Sequence, residues 1–105
     1  MKQVDFKIKY EHLKILNEVF ARMPDVAESR DERAARSLFD ALSRKLMKKQ
    51  LSKIDNHSKP FKITLEYYEA TGLANIAEFG QTTEPDIYKK NALHLIFHTL
   101  DQILA

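Results

Sequence analysis

Two stretches of the chain change from alternating to helical spacing of their apolar residues. Over residues 61–67 apolar and polar positions alternate, which is the two-residue period of a strand with one buried face. From residue 70 onward the apolar positions recur at the 3.6-residue spacing of a helix. Residues 4–10 and the segment after them show the same order. The pattern therefore predicts, at two places, a strand followed directly by a helix.

Helical spacing also predicts the first two helices. The first covers residues 11–23, and the second ends near Ile54. The second can start at either of two capping-box sequences, which begin at Asp25 and Ser29, and the sequence does not choose between them. The predicted buried stripe of the second helix consists of Ala35, Leu38, Phe39, Leu42, Leu46 and Leu51.

The third and fourth helices follow the second alternating stretch. We expect the third to end near Phe79, because Gly80 is typical of the position just after a helix. Gly72 lies inside this helix, where glycine usually marks a kink or the close approach of another segment. Residues 82–86 combine hydroxyl, proline and acidic residues and predict the start of the fourth helix. Its predicted apolar stripe consists of Ile87, Tyr88, Ala92, Leu95, Ile96, Thr99, Leu100 and Ile103.

A shift of 57 residues superimposes the two halves without a gap. It brings Val4 onto Phe61 and Phe6 onto Ile63, and the helical stripes also match. The prediction is an α+β fold that is mainly helical, with the element order β-α-α-β-α-α and an antiparallel two-stranded sheet. Its halves, residues 1–57 and 58–105, are predicted to be related by a pseudo-twofold axis. Amphipathic segments can also match by chance, and an all-α four-helix bundle stays open as the alternative fold.

Length and composition favour one globular domain. The chain has 105 residues, of which 44% are hydrophobic and 30% charged, and its net charge is +2. It has no cysteine, which excludes disulfides and thiolate chemistry and favours a cytoplasmic location. No apolar run approaches the length of a membrane span, so we expect no membrane partner.

One candidate site for a metal ion lies in the fourth helix. His94 and His98 are four residues apart, so two imidazoles on one helical face can share a metal, and Asp101 continues that face. His12 or His57 would have to supply a further ligand. The signal is weak, because Leu95 stands where the zinc metalloprotease motif has glutamate. Two histidines on the flank of an amphipathic helix, making ordinary hydrogen bonds, are the more common explanation of this pattern.

A candidate site for nucleic acid lies at the end of the second helix. A basic face there can neutralise phosphate groups. Cations at the C-terminal end of a helix also stabilise its dipole, and no RNA-reading aromatic motif or helix-turn-helix accompanies them. The basic residues are Arg44, Lys45, Lys48, Lys49 and Lys53.

These observations favour a non-catalytic interaction module. With only Gly72 and Gly80, the chain has no phosphate-binding loop and no nucleophile elbow, so we expect neither an enzyme nor a cofactor. A two-stranded sheet has two open edges, and we expect one edge to pair with a second copy in a homodimer. A nucleic-acid-associated accessory protein is the alternative, and a metal-dependent enzyme at His94 and His98 ranks third.

Overall fold

Two β-α-α units follow one another along the chain. The computed structural model describes residues 3–22, 30–55 and 59–105, with the backbone alone for residues 30–35. The order and the mainly helical content confirm the predicted α+β fold. The elements are β1 (Gln3–Ile8), α1 (Tyr10–Arg22), α2 (Arg30–Ser52), β2 (Phe61–Glu66), α3 (Tyr67–Thr83) and α4 (Ile87–Leu104). Asp25 and Ser29, the two candidate helix starts, lie outside the described residues.

The two strands form an antiparallel sheet. Buried and exposed residues alternate along both strands, so one face of the sheet lies on the helices and the other is exposed. The alternative of a four-helix bundle is wrong, because residues 3–8 and 61–66 pair with each other as strands instead of extending the helices.

The strand pairing agrees with the predicted repeat. Phe6 faces Ile63 near the middle of the sheet, and these are also residues that the 57-residue shift superimposes. A twofold axis through this pair would exchange β1 with β2. The boundary between the halves, at residues 57 and 58, lies outside the described residues, and the duplication itself stays a prediction.

Helix α3 lies at the centre of the helical layer. It contacts the other three helices and both strands. Both strands rest their apolar face on this layer, which a two-stranded sheet needs for stability. The core draws on every element and includes Val4, Phe6, Ile8, Leu13, Leu16, Val19, Leu42, Leu46, Ile63, Leu65, Leu73, Ile76, Leu93, Ile96 and Leu100.

The end of α3 differs from the prediction. The helix continues through Gly80 to Thr83, and among the described residues no glycine has a positive φ. Gly80 is buried, and a β-carbon there would lie 2.7 Å from Val19 Cγ2 and 3.0 Å from Leu93 Cδ1. Glycine at this position therefore allows α1 and α4 to approach α3, and it does not end the helix.

Gly80→Ala is expected to destabilise the fold by about 1–2 kcal/mol. Overpacking against buried side chains lowers the free energy of unfolding by about 1–3 kcal/mol. The better helix propensity of alanine offsets up to about 1 kcal/mol of this loss. Val19 cannot move away easily, because its branched side chain is stiff and fully buried. Urea denaturation followed by circular dichroism measures the change.

Gly72→Ala is the matched control in the same helix. A β-carbon there would lie 3.2 Å from Leu38 Cδ2 and 3.4 Å from Leu42 Cδ1, at the ends of flexible side chains. We expect this variant to be neutral or stabilised by up to about 1 kcal/mol. Equal losses in the two variants would contradict the close approach at Gly80.

Candidate functional site

The two open edges of the sheet are the features most suited to binding. Within the described part of the chain the sheet has two strands, so β1 and β2 each have one edge without a strand partner. A helix lies beside each edge, and a groove separates the helix from the strand. The two grooves differ in chemistry, and we name them the β1 groove and the basic groove.

The β1 groove lies between β1 and α4. It has a volume of about 240 Å³, and its lining includes residues 6–9 of β1 and its end, together with Leu95, Ile96 and Thr99 of α4. Leu95 is 54% exposed, although the sequence pattern places it in the buried stripe of its helix. A single exposed leucine is common on protein surfaces, but this one lies in a groove beside an open strand edge, where an added partner strand would bury it.

His12 extends the β1 groove toward the start of α4. It also lines a shallower depression with Tyr88 and Leu95, so the apolar surface continues past the strand. Burial lowers the pKa of His12, Lys9 lowers it further, and Glu11 opposes both. The imidazole is therefore mainly neutral at neutral pH, and Lys7 and Lys9 supply the positive charge of this groove.

Tyr88 links the start of α4 to the start of α1 by a side-chain hydrogen bond. Its hydroxyl donates a hydrogen bond to Glu11 Oε2 at 3.0 Å. This hydrogen bond, together with the charge of Glu11, raises the pKa of Tyr88. The bond holds α4 beside the end of β1 and so helps to fix the wall of the β1 groove.

The basic groove lies between β2 and the C-terminal half of α2. Its volume is about 570 Å³, and buried Leu46 and Ile63 are part of its lining. The cationic side chains around it come from both elements and are Lys45, Lys48, Lys49 and Lys62. Three of these belong to the predicted basic set. Arg44 is exposed but does not line the groove.

Lys62 is the groove residue that the sequence did not reveal. It lies at an exposed position of β2, and only the placement of α2 beside that strand brings it near the helix lysines. Lys53, the last of the predicted set, lies next to the groove with its ammonium 5.4 Å from the centroid of the Phe61 ring. The ammonium of Lys49 lies 5.8 Å from the same centroid.

Polar contacts fix α2 beside the sheet. Lys45 Nζ lies 3.0 Å from Glu69 Oε1 of α3. Buried Asn17 of α1 donates from Nδ2 to Gln50 Oε1 at 2.6 Å and to the carbonyl of Leu46 at 3.5 Å. These contacts lie on both sides of the turn of α2 that carries Lys48 and Lys49. They therefore hold the lysine-bearing part of α2 in place beside β2.

The histidine pair forms no three-ligand cluster in the described part of the chain. The rings of His94 and His98 stack with their centroids 6.2 Å apart. Each histidine instead contacts a glutamine amide, Gln81 for His94 and Gln102 for His98. Among the described residues no group of three or more histidine, cysteine or acidic side chains is placed to hold a metal.

The metal site with Asp101 stays a prediction. His57, one candidate for a further ligand, lies outside the described residues.

No family model, curated protein or solved structure matches the chain. None of the helices described is long and apolar enough to cross a membrane.

Proposed function

We propose that the protein is a non-catalytic interaction module that forms a homodimer through the open edge of β1. The observation that carries the proposal is the exposed Leu95 beside an open strand edge whose charges are self-complementary. In the dimer the two β1 strands pair antiparallel and join the two sheets into one of four strands. A cytoplasmic location is part of the proposal, supported by the absence of cysteine.

Burial on one face restricts the register of this pairing. Val4, Phe6 and Ile8 are buried against the helices, so the partner strand must also place its buried residues on that face. Residues directly opposite each other in an antiparallel pair lie on the same face of the sheet. The condition is therefore met only when the twofold axis of the pair passes through a residue of β1, on which the register is centred, and not between two residues. A register centred on Phe6 sets Asp5 opposite the partner's Lys7, and the twofold axis repeats the pair.

Charge selects among the registers that remain. A register centred on Asp5 sets two aspartates against each other, and one centred on Lys7 does the same with two lysines. Like charges directly opposite each other are destabilising, whereas opposite charges stabilise the pair. Lysines on an edge strand in general discourage unwanted pairing. In the register centred on Phe6, Lys7 is matched by the partner's Asp5, and Lys9 lies opposite the partner's Gln3.

The edge of β2 is less suited to self-association. The lysines of α2 line the groove beside it, and no described carboxylate lies within 4.0 Å of the ammonium groups of Lys48, Lys49 or Lys53. A second copy at this edge would bring the two lysine sets together. Repulsion of this kind leaves the β1 edge as the surface for the homodimer.

Leu95→Lys is expected to weaken the homodimer by about tenfold to a hundredfold. The homodimer loses the burial of two leucine side chains, each worth about 1.5–3 kcal/mol when fully buried. Each is 54% exposed in the protomer, so only about half of that value is lost at each site, or about 1.5–3 kcal/mol in total. Light scattering after size exclusion, over a range of protein concentrations, measures the mass of the wild type and the variant.

Ile87→Lys is the control for this experiment. Ile87 is 76% exposed and begins the same helix, but it lines neither groove. It should leave the dimer intact. A wild-type protein that stays monomeric at high concentration, or equal effects of the two substitutions, would overturn the proposal.

A further inference from the structure

We propose that the basic groove binds an acidic, extended segment of a partner protein, which adds to the open edge of β2 as a third strand. The juxtaposition behind this inference is a lysine-bearing helix wall beside a strand edge that has no partner strand in the described part of the chain. This surface lies across the sheet from the homodimer edge, so the inference goes beyond the proposed function and does not depend on it.

The positive charge of the basic groove favours an anionic ligand. Lys48 and Lys49 line it, and neither has a carboxylate within 4.0 Å among the described residues. Lys62 contributes from the strand, and its contact with Asp5 is long, at 3.8 Å. A segment with carboxylates would supply the missing negative charge, and its binding would weaken as salt is added.

The open strand edge favours a ligand with an extended peptide backbone. An open edge offers main-chain hydrogen bonds to an added strand, while alternate side chains of that strand enter the groove. Leu46 and Ile63 form a buried floor of the groove, and the apolar surface that a ligand can reach is that of the aliphatic stems of the lysines around it. A segment in which acidic and apolar residues alternate meets both the lysines and this apolar surface.

Phe61 keeps two of the lysines at the end of the groove. The ammonium groups of Lys49 and Lys53 both lie within 6 Å of the centroid of its ring, at 5.8 and 5.4 Å. Cation–π contacts of this kind orient a lysine without neutralising its charge. The two charges therefore remain available to an occupant.

These features favour a peptide over nucleic acid. Single-stranded nucleic acid binds where bases can stack on open aromatic rings, and here the one aromatic ring beside the described lysines is already in contact with two of them. The groove lining also has no arginine, the side chain best suited to bidentate phosphate contacts. An open strand edge pairs with the backbone of an extended peptide, whereas contacts to phosphate groups do not need one.

Fluorescence anisotropy with a labelled peptide of about seven alternating glutamate and valine residues tests the inference. We expect this peptide to bind the wild-type protein and to bind Lys48→Glu/Lys49→Glu about tenfold or more weakly. The control variant Lys14→Glu/Lys90→Glu has the same net charge change at exposed positions outside the groove and should bind like the wild type.

Three further probes make the outcome decisive. A peptide of the same composition with its glutamates and valines in separate blocks, and one with glutamine in place of glutamate, should both bind more weakly. Equal binding of the block peptide, or no binding of the alternating peptide at millimolar concentration, would overturn the inference. Tighter binding of a thymidine oligonucleotide that displaces the peptide would overturn it in favour of nucleic acid.

The mass of each variant, measured in the same samples, keeps this test separate from the homodimer. Lys48→Glu/Lys49→Glu should lose the peptide and remain a dimer. Loss of both peptide binding and dimerisation in this variant would overturn the inference that the basic groove binds a partner independently of the homodimer edge.

Discussion

Lys7→Asp is expected to dissociate the homodimer while the fold is retained. In the register centred on Phe6, the new carboxylate lies opposite the partner's Asp5, so two attractive pairs become two repulsive ones. Each cross-strand charge pair is worth about 0.2–1 kcal/mol. Dimerisation should therefore weaken by about 1–4 kcal/mol, which corresponds to roughly fivefold to several hundredfold in Kd.

The same change is favourable within one protomer. Lys7 lies directly opposite Lys62 in the pairing of β1 with β2, and the two like charges repel each other. Lys7→Asp turns this repulsion into an attraction. The free energy of unfolding of the monomer should therefore stay the same or rise slightly, which separates loss of the dimer from loss of the fold.

Adding Asp5→Lys to Lys7→Asp should restore the dimer. The double variant reverses both charges, so opposite charges again face each other between the protomers. It gives up the hydrogen bond of 2.6 Å from Thr64 to Asp5, and some stability of the monomer is expected to be lost. Sedimentation velocity over a range of concentrations measures both variants. A folded double variant that stays monomeric would contradict the register.

Leu16→Ala is expected to lower the free energy of unfolding by about 3–5 kcal/mol. Leu16 has no exposed surface and lies in the core formed by α1 with its neighbours. Truncation removes its contacts and leaves a cavity in a close-packed interior. The midpoint of thermal unfolding should fall by about 4–8 °C for each kcal/mol. Urea denaturation followed by circular dichroism gives the free energy.

Leu51→Ala removes the same atoms from the surface. Leu51 lies on α2 and is 66% exposed, although the sequence pattern predicts it to be buried. The expected change is within about 0.5 kcal/mol. A loss of several kcal/mol in both variants would show that Leu51 is buried in solution. A loss near zero in both would show that Leu16 is not buried.

The sequence was sufficient to predict the strands and their order with the helices. Alternation over residues 4–10 and 61–67 predicted β1 and β2 to within two residues of their ends. These segments were predictable because burial of one face imposes a two-residue period, whatever lies beneath it. The predicted antiparallel pairing is confirmed as well.

The exposure of single apolar residues could not be predicted in the same way. Apolar residues cover more than one face of α4, and periodicity alone does not tell which face meets α3. Leu93 proves to be fully buried and Leu95 half exposed, the reverse of the prediction for Leu95. The β1 groove depends on this choice, so it emerged only from the packing of α4.

The basic groove was predictable in part. The lysines of α2 stand close together in the sequence, and their clustering needs only a helix. Lys62 lies on another element, and it lines the same groove as Lys48 only because α2 is placed beside β2. That placement is held by contacts such as the partly buried hydrogen bond of Asn17 with Gln50, which have no recognisable sequence pattern.

Distances between spin labels on β1 test the homodimer most directly. The chain has no cysteine, so Gln3→Cys and Lys9→Cys each give one label per protomer. Positions 3 and 9 lie three residues on either side of Phe6. In the register centred on Phe6, the two variants should give the same separation between labelled sites, about 20 Å along the strands.

A shift of the centre to Asp5 or Lys7 would shorten one of these separations and lengthen the other by about 7 Å. Equal distances in the two variants support a homodimer through β1. Unequal distances would contradict the register, and the absence of any dipolar signal at high protein concentration would contradict the homodimer.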